Sequence, residues 1–525
     1  MRKDSTAAGR PFDRLLIANR GEIAVRIIRA CRELGIEAIA VHSDADVDAV
    51  HVKAADRTVR IGPPPATESY LRVDAIVAAA VETGAQAIHP GYGFLSEQPA
   101  LAEACTAAGI VFVGPGVETL GQLGDKIAAR QRASAVGVPV VPGTFEPLPA
   151  GGDADAGRIT AEAERIGYPV LVKAAAGGGG RGMRRVDDPA DLNDAVASAS
   201  REAKASFGDG SVYLERYVER ARHVEVQLLG DSQGTIVALG ERDCSTQRRH
   251  QKLVEEAPAP GLSEEQRRSL HELGVKVART VGLRNAATAE FLLTPDGDFW
   301  FLEVNARLQV EHGVTELVAD LDLVHEQLWI AAGQPLSERA MAAAERAARP
   351  ERHAIEVRLS AEDPAHDFAP APGRLTSWTT PAGPGVRVDA GVEEGTTVSP
   401  NYDPLLAKLM VVAEDRPKAI ARLARSLDEF EIGGLQTTLP FHRWLVGQPG
   451  FEDASDLSTD FVGRVWQPAE LVSLAALRAA ELAAAASRDR AVTSGAATDG
   501  QPHTNGIASS AWWRAGIAEA TENKA

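Results

Sequence analysis

Apolar and polar positions follow a regular order through the N-terminal part of the chain. Residues 14–42 read RLLIANRGEIAVRIIRACRELGIEAIAVH, which predicts a strand, a polar turn, an amphipathic helix that stops at Gly35, and a second strand. A strand, a tight glycine-rich loop and a helix recur over residues 84–115. Strands that alternate with helices are typical of an open parallel sheet, so we predict a first α/β domain over residues 13–125.

The pattern changes after residue 126. Two strands, YPVLVKAAA and GMRRV, flank a glycine run and precede a charged helix over residues 188–206 and the strand VYLERYVE, which together suggest a small lid over about residues 142–215. Residues 222–312 alternate strands with turns, and the PDGD turn predicts a hairpin between ATAEFLL and FWFLEVN. A unit that contains HAIEVRLSAED closes the ordered body near residue 465.

Residues 466–525 differ in composition from the rest of the chain. The Ala-rich AELVSLAALRAAELAAAASRDR predicts a helix, and the low-complexity stretch VTSGAATDGQPHTNG follows it. Beyond that stretch lies the pair Trp512 and Trp513. Aromatic anchors of this kind either dock back on their own domain or bind a partner protein, and the sequence leaves both interpretations open.

Length and charge exclude several classes of function. A chain of 525 residues is too long for one hydrophobic core, so we expect several domains. The net charge of −18 argues against general binding to nucleic acids or acidic membranes, although a local basic pocket for a small anion is compatible with it. The three cysteines form no CxxC pair, which argues against a disulfide framework or zinc site. Without an apolar run of about 18 residues, we expect a cytoplasmic protein.

The segment KAAAGGGGRGM, residues 173–183, is the first candidate for chemistry. Its four consecutive glycines let backbone N–H groups approach an anion, and Lys173 and Arg181 add positive charge on either side. A plain flexible loop is the alternative, because no Walker pattern is present. A second lysine, Lys126 in GDKIAAR, favours the interpretation as a nucleotide phosphate site.

A second candidate is EVNARLQVE, in which polar residues occupy every second position: Glu303, Asn305, Arg307, Gln309 and Glu311. In an extended strand these side chains project to one side, although a half-buried strand with a solvated face gives the same pattern. Glu290 lies on the preceding strand of the predicted hairpin and can meet the first two across the turn. Two carboxylates and an amide oxygen suit Mg²⁺ that carries substrate phosphates. The remaining arginine and glutamine are suited to hold an oxyanion while the last glutamate accepts a proton.

The segment ERDCSTQRRHQK concentrates cations in an acidic chain: Arg242, Arg248, Arg249, His250 and Lys252. A solvated charged face is one interpretation of such a run. Cations close to a carboxylate metal site instead indicate an anionic substrate in the same cleft.

Seven motifs now give a resemblance to a known family. NRGEIAVR, HPGYGFLSE, KAAAGGGGRGM, RHVEVQLLGD, ERDCSTQRRHQKLVEEAPAPG, EVNARLQVEH and HAIEVRLSAEDP occur in the order found in biotin carboxylases, which are ATP-grasp enzymes. The resemblance spans about residues 13–465. It implies a mixed α/β fold with a Rossmann-like preATP-grasp domain (13–125), an ATP-grasp body with a mobile lid (126–330), and a C-terminal biotin carboxylase domain (350–465).

The same resemblance implies a role for individual residues. ATP phosphates would be contacted by Lys126, Lys173, Gly178, Gly179, Gly180 and Lys252. Adenine and ribose would be held by Glu215 and His223, with Gln247 and His250 nearby. Mg²⁺ or Mn²⁺ would be held by Glu290, Glu303 and Asn305. Bicarbonate would be bound by Arg307, Gln309 and the Val310 backbone and deprotonated by Glu311, while Arg358 would stabilise the biotin enolate and Tyr92 would line the biotin side.

The sequence departs from the family pattern at two positions and lacks one motif. Gly313 stands where proline is usual, which suggests a looser loop around Glu311, and Ala306 replaces a position that is often Thr or Pro. No lysine lies beside any of the four methionines, so the methionine-flanked lysine that carries biotin is missing. We therefore expect biotin on a separate biotin carboxyl carrier protein and a separate carboxyltransferase subunit, most often one that acts on an acyl-CoA.

Three alternatives remain at this point. The chain could serve a carboxylase with an acceptor other than an acyl-CoA, it could be another ATP-grasp ligase, or it could be a non-catalytic scaffold. The HAIEVRLSAEDP motif with Arg358 argues against the second, and the intact candidate residues argue against the third. A homodimer or a larger complex is also open, since Arg26, Arg29 and Glu33 on the first helix resemble a dimer-forming region of the family, although a surface cluster of charges explains the same residues equally well.

Overall fold

The computed structural model describes residues 9–148, 153–175 and 183–468, with the side chains of 153–156 and 206–207 left undescribed. The N-terminal part holds five strands and five helices: β1 (Arg14–Ile17), α1 (Gly21–Leu34), β2 (Glu37–Ser43), α2 (Val50–Ala54), β3 (Arg57–Gly62), α3 (Val73–Thr83), β4 (Ala87–His89), α4 (Pro99–Ala107), β5 (Val111–Phe112) and α5 (Val117–Gly124). The strands form one parallel sheet in the order β3-β2-β1-β4-β5. The predicted open parallel sheet is confirmed.

Helix α1 shows why this part of the sequence folds as its pattern predicts. Its apolar residues Ile23, Ile27, Ile28 and Cys31 are buried against the sheet, as the helical spacing requires. The helix ends at Gly35, whose φ of 71° lies in the left-handed region that glycine adopts without a steric penalty. The turn leads directly into β2, which pairs in parallel with β1.

The predicted lid is a small sheet with its own core. Helix α6 (Lys126–Ala135) precedes the lid, whose elements are α7 (Asp153–Ile166), β6 (Val170–Ala174), β7 (Arg184–Val186), α8 (Leu192–Phe207) and β8 (Val212–Arg216). The strands pair antiparallel in the order β7-β6-β8. The charged helix begins at Leu192 rather than 188, because Pro189–Asp191 form a 3-10 turn. The Asp188 side chain accepts a hydrogen bond from the Ala190 N–H group at the start of this turn.

The largest sheet is antiparallel and has eight strands in the order β13-β12-β9-β10-β11-β14-β21-β19. Its first part contains β9 (Arg222–Gly230), β10 (Ile236–Arg248), β11 (Gln251–Ala257), α9 (Glu264–Thr280), β12 (Asn285–Leu293), β13 (Phe299–Asn305), α10 (His312–Ala319), α11 (Leu323–Ala331) and α12 (Glu338–Arg346). The hairpin predicted at PDGD is confirmed, since β12 and β13 pair on either side of it.

The C-terminal part continues the same sheet. Its elements are β14 (His353–Ser360), β15 (Glu362–Asp363), β16 (Ala369–Pro370), β17 (Gly373–Arg374), β18 (Ser377–Thr379), β19 (Val386–Ala390), β20 (Thr397–Val398), β21 (Leu405–Ala413), α13 (Arg416–Glu429), β22 (Glu431–Gly433), α14 (Leu439–Leu445), α15 (Pro449–Glu452) and α16 (Phe461–Val465). Strand β14 pairs with β11, so one sheet runs across the boundary predicted between residues 330 and 350.

The described residues up to 465, apart from 364–367, belong to one compact unit. A 3-10 turn over Pro364–His366 belongs to the second unit. Among the helices of the described ranges, none combines the length and apolar character that crossing a membrane requires. The Ala-rich segment and Trp512–Trp513 lie outside the described residues, so both interpretations of the tail stay predictions.

Candidate active site

A cleft of about 890 Å³ brings the predicted residues together. Its walls come from the loops after β1 and β4, from the lid strands β6 and β8, and from the large sheet. The described site residues that line it are Tyr92, Lys126, Lys173, Glu215, His223, Gln247, His250, Lys252, Glu290, Glu303, Asn305, Arg307, Gln309, Val310, Glu311 and Arg358. Gly178, Gly179 and Gly180 lie outside the described residues.

Two lysines mark the lid side of the cleft. Lys173 on β6 donates to Glu215 on β8 at 2.7 Å, because the two strands are hydrogen-bonded neighbours. Lys126, at the start of α6, lies 2.6 Å from Glu303 on β13. Burial lowers the pKa of Lys126, but the charge and hydrogen bond of Glu303 together with Tyr213 outweigh that effect, so the net shift is upward and the ammonium stays charged. Both cations face the space where a polyanion can enter.

The side chain of Glu215 is committed to protein contacts. It is almost wholly buried and accepts hydrogen bonds from Lys173 and from the buried Arg130. Burial raises its pKa, yet these cations lower it more, so it remains a carboxylate. In this arrangement the carboxylate of Glu215 orients Lys173 toward the cleft.

Lys252 forms the centre of the site. Its Nζ lies 2.6 Å from Glu225, 2.6 Å from Glu311 and 3.3 Å from Glu290. Burial acts to lower its pKa, but the surrounding acidic groups raise it well above the usual value. One cation therefore holds three carboxylates on three different strands or turns.

Glu225 is a member of this centre that sequence reasoning missed. It is fully buried on β9, directly paired with Glu290 on β12, and it also accepts from Arg242 at 2.5 Å. The alternation in HVEVQ places His223, Glu225 and Gln227 on one face of β9, which is the pattern that could have identified it. Arg242 is itself fully buried, so this member of the basic segment is neither solvated nor open to a ligand.

The β12–β13 hairpin carries the predicted metal ligands. Glu290 pairs in register with Glu303, and Asn305 donates to Glu290 at 2.8 Å. His223 lies 3.0 Å from the second oxygen of Glu290. Burial raises the pKa of Glu290, but Lys252 and His223 together lower it by more than burial raises it. The net shift is therefore downward, and Glu290 stays ionised. The oxygen donors of this set fit a hard divalent cation such as Mg²⁺ or Mn²⁺.

The sequence prediction that residues 303–311 form one extended strand is wrong. Strand β13 ends at Asn305, and the next N–H group, that of Ala306, leaves the sheet to donate to the Glu97 side chain at 3.1 Å. Arg307 donates to the same carboxylate at 2.9 Å. Glu97 thus bends the chain into the cleft. Nothing in the alternating pattern signalled this, because Glu97 lies more than two hundred residues earlier.

The bend gathers the oxyanion-binding groups. Arg307 donates to Gln309 at 3.0 Å and to Asn305 at 3.1 Å, and Gln309 is 3.3 Å from Glu290. Glu311 is fully buried at the N-terminal cap of α10, where the helix dipole favours a negative charge.

Two cations hold the carboxylate of Glu311. One oxygen accepts from Lys252 at 2.6 Å and the other from Arg358 at 3.1 Å. Burial raises its pKa, but Lys252, Arg358 and Arg242 lower it more strongly, so the net pKa lies well below its usual range. Glu311 is therefore ionised and carries no proton of its own, as is required of a general base before the reaction starts.

Gly313 does not lie in a loose loop. It is buried in the first turn of α10, and a Cβ at this position would overlap the Sδ of Met410, which is fully buried on β21. Close packing, rather than freedom of the backbone, explains a glycine here.

Comparison with known proteins gives matches over most of the described residues. Family models match residues 11–120 as "Biotin carboxylase, N-terminal domain", 125–339 as "Carbamoyl-phosphate synthase L chain, ATP binding domain", and 356–464 as "Biotin carboxylase C-terminal domain". The biotin carboxylase of Allochromatium vinosum is 48% identical over 84% of this chain and 96% of its own length. A pyruvate carboxylase component of Methanothermobacter thermautotrophicus is 46% identical over 86% of this chain and 89% of its own.

Solved structures agree with the sequence matches. The biotin carboxylase-beta-gamma-ATP complex from Campylobacter jejuni has a TM-score of 0.82 and 45% identity over 86% of this chain and 99% of that one. The biotin carboxylase domain dimer of the Hydrogenobacter thermophilus 2-oxoglutarate carboxylase, solved with MgADP, ADP and bicarbonate, has a TM-score of 0.82 and 42% identity over 86% of this chain and 97% of that one.

Proposed function

The chain belongs to the biotin carboxylases, ligases that carboxylate biotin at the expense of ATP, and we propose that it does so with bicarbonate on biotin held by a separate carrier protein. The observation that carries this proposal is the buried carboxylate of Glu311, held by Lys252 and Arg358 next to the oxyanion-binding pair Arg307 and Gln309. A base and anion-binding donors converge there on one small volume, as proton removal from a bound acid requires.

Nucleotide binding uses the lid side of the cleft. Lys126, Lys173 and Lys252 contact the ATP phosphates together with the glycines at 178–180. Glu215, His223, Gln247 and His250 surround the nucleoside. Glu290, Glu303 and Asn305 would hold Mg²⁺ or Mn²⁺, which would neutralise phosphate charge when bound. Support comes from the oxygen-rich β12–β13 face and from the two structural relatives that are complexes with ATP-derived ligands.

Proton transfer to Glu311 starts the chemistry. Arg307, Gln309 and the Val310 N–H group hold bicarbonate, and Glu311 takes the proton of its hydroxyl group. A bicarbonate oxygen then attacks the terminal phosphorus of ATP, the bond to ADP breaks, and carboxyphosphate forms. Lys252 offsets the charge that develops on the transferred phosphoryl group, since it is the cation closest to both Glu311 and Glu290.

Carboxyphosphate then breaks down to CO₂ and phosphate on the biotin side of the cleft. The phosphate removes the N1′ proton of biotin, and Arg358 stabilises the negative charge on the ureido oxygen. The N1′ atom attacks CO₂ to give carboxybiotin. Tyr92 lines this side of the cleft, which is consistent with its position in the loop after β4.

The acceptor that completes the reaction is an acyl-CoA in our proposal, handled by a separate carboxyltransferase. The mitochondrial methylcrotonoyl-CoA carboxylase alpha chain from Oryza sativa is 48% identical over 86% of this chain and 60% of its own length. A keto acid is the second candidate, because the pyruvate and 2-oxoglutarate carboxylase relatives are similar to nearly the same degree. Purification of the carboxylase complex from its native cells, followed by transfer of labelled bicarbonate to acyl-CoAs or keto acids, separates the two.

We also propose that residues 13–125, 126–330 and 350–465 are the three domains, and that residues 466–525 hold the partner subunits. Truncation after residue 466 should retain carboxylation of free biotin and abolish assembly with the carrier or carboxyltransferase. Unchanged assembly would exclude this role for the tail.

The first test of the activity is ADP release with MgATP and bicarbonate, with and without free biotin. We expect turnover that needs bicarbonate, increases with biotin, and falls about 100-fold or more in Glu311→Gln, because the variant keeps the shape of the base but cannot take a proton. Glu393→Gln is the matched control, since Glu393 is exposed and pairs with Lys53 on the surface. Absence of bicarbonate-dependent turnover, with the carrier protein also supplied, would refute the proposal.

A further inference from the structure

A buried lysine outside the predicted site lies directly behind it. Lys408 on β21 has a fully buried side chain and is paired in register with Arg358 on β14, so the two side chains lie on the same face of the sheet. Its Nζ donates to the Val310 carbonyl at 2.7 Å and lies 3.4 Å from Glu22. A lysine is rarely buried to this degree unless specific partners hold it.

The surroundings of Lys408 are acidic. The carboxyl groups of Glu22, Glu356 and Asp389 surround it, and Arg387 is the opposing cation. Burial raises the pKa of Glu356 well above its usual value and the pKa of Glu22 to about 7. At Asp389 the effect of burial is outweighed by cations such as Arg387, and the pKa is lowered overall. Both carboxylate oxygens of Glu356 and one of Glu22 have no hydrogen-bond partner among the described residues. A strand position with this many buried acidic groups would fold more easily with neutral side chains. Retention of this buried set of ionisable groups therefore points to a task beyond packing.

The first contact of Lys408 acts on the bicarbonate loop. The Val310 carbonyl and the Glu311 N–H group belong to one planar peptide unit, so a hydrogen bond to the carbonyl fixes the direction of both residues. Glu311 is the proposed base, and the Val310 N–H group is a proposed bicarbonate donor. The carbonyl oxygen of the peptide that joins these two residues accepts its hydrogen bond from Lys408.

The second contact acts on the biotin side. Glu22 accepts a hydrogen bond from the Tyr92 hydroxyl and is itself almost fully buried in the cleft wall. Lys408 is the cation that stands opposite this carboxylate. A single ammonium group therefore touches both the loop that holds bicarbonate and the carboxylate that holds Tyr92.

We propose that Lys408 is a positioning residue that aligns the Val310–Glu311 peptide with Tyr92, and so couples the bicarbonate and biotin halves of the site. This inference rests on the proposed function. Lys408 contacts neither substrate, and the nucleotide residues are held by other pairs, such as Lys173 with Glu215. Loss of Lys408 should therefore weaken the binding of bicarbonate and biotin and leave the binding of ATP unchanged.

The test is steady-state kinetics of Lys408→Met with ATP, bicarbonate and free biotin varied in turn. We expect the KM values for bicarbonate and biotin to rise at least tenfold while the KM for ATP stays within twofold. Lys53→Met is the matched control, because Lys53 is an exposed lysine with a single carboxylate partner. A purely structural lysine would lower the thermal midpoint and leave all three KM values of the folded enzyme unchanged, and that result would overturn the inference.

A second variant keeps the test decisive if Lys408→Met does not fold. Lys408→Met combined with Glu22→Gln removes both members of the buried pair and leaves no unpaired charge between them. The double variant should show the same selective rise in the two KM values. If the parent chain itself lacks bicarbonate-dependent ADP release, the proposed function fails. If the parent is active and the folded variants match it, only the positioning role fails.

Discussion

The two main sheets of this protein bury very different residues. In the parallel N-terminal sheet, strands β1 and β2 bury an almost continuous apolar run, including Leu15, Leu16 and Ile39. In the eight-stranded sheet, charged side chains are buried in the strands themselves: Glu225, Arg242, Glu255, Glu356 and Lys408. A parallel sheet with helices on both faces has no side left for charge, whereas the antiparallel sheet has a face that forms the cleft.

Energetics give this difference a functional meaning. Burial of apolar side chains stabilises a sheet without a desolvation penalty. A buried ion pair pays that penalty and commonly stabilises the sheet no more than apolar residues of the same shape. Breaking one member of such a pair is costly, because the other charge is left without a partner. The charges of the large sheet are therefore best explained by the reaction, and the apolar sheet by support of the loops it delivers.

The support from the N-terminal sheet is specific. Asn19, just after β1, donates to the carbonyl groups of Pro90 at 2.7 Å and Tyr92 at 2.8 Å. The ends of β1 and β4 are adjacent because these strands pair in parallel. The apolar sheet thus fixes the loop that presents Tyr92 to the charged one.

Substitution at the centre of the charged face should have the largest effect. Lys252→Met removes the cation shared by Glu225, Glu290 and Glu311. We expect bicarbonate-dependent ADP release to fall by about 100- to 1000-fold, the range seen when a preorganised electrostatic contact is removed. Lys53→Met again provides an exposed control. A folded Lys252→Met enzyme with less than a tenfold loss would mean that the buried charges serve stability rather than chemistry.

Sequence alone identified the apolar sheet and the cleft residues for different reasons. The parallel sheet follows from local periodicity, because each strand and helix in residues 14–42 carries its own pattern. The polar alternation of residues 303–311 correctly grouped side chains that share a cleft, but it predicted the wrong backbone, since the Glu97 carboxylate bends the chain after Asn305. Glu97 and Lys408 act through contacts distant in sequence, and no local pattern encodes such contacts.

The packing of helix α10 against the eight-stranded sheet can be tested at Gly313. A Cβ in Gly313→Ala would overlap the Sδ of the buried Met410, so we expect the free energy of unfolding to fall by about 2 kcal/mol, as in overpacked cores. Met410→Val removes the overlapping sulfur and should restore part of that loss in the double variant. Chemical denaturation of the single and double variants measures both effects.

Gly121 provides the matched control for this substitution. It lies in α5, is exposed, and has open space where a Cβ would be added. Gly121→Ala should therefore stabilise the protein by about 0.5–1 kcal/mol, since alanine is the better helix former. If both substitutions shift stability in the same direction, the overlap with Met410 does not explain Gly313.

The last prediction concerns His89, the one titratable side chain of strand β4. His89 is fully buried; its Nδ1 accepts from Gly91 at 3.0 Å and its Nε2 lies 3.3 Å from the Gln327 side-chain oxygen. This pairing requires the neutral ring. Burial, offset in part by Gln327, lowers the pKa of His89 to about 3. Unlike Glu290 on the large sheet, whose pKa is lowered so that it stays ionised, this group is kept uncharged.

Replacement of His89 should therefore change the pH dependence of stability. Below about pH 6.5 the unfolded chain binds a proton at this histidine and the folded chain does not, so acidification costs the parent up to about 1.4 kcal/mol per pH unit. His89→Gln lacks this loss. It should be less stable than the parent at pH 7.5, and the gap should narrow as the pH falls to 5 in urea unfolding. A gap that stays constant would mean that the folded protein accommodates a charged His89, and the contrast between an apolar sheet and a charged one would then no longer hold at this position.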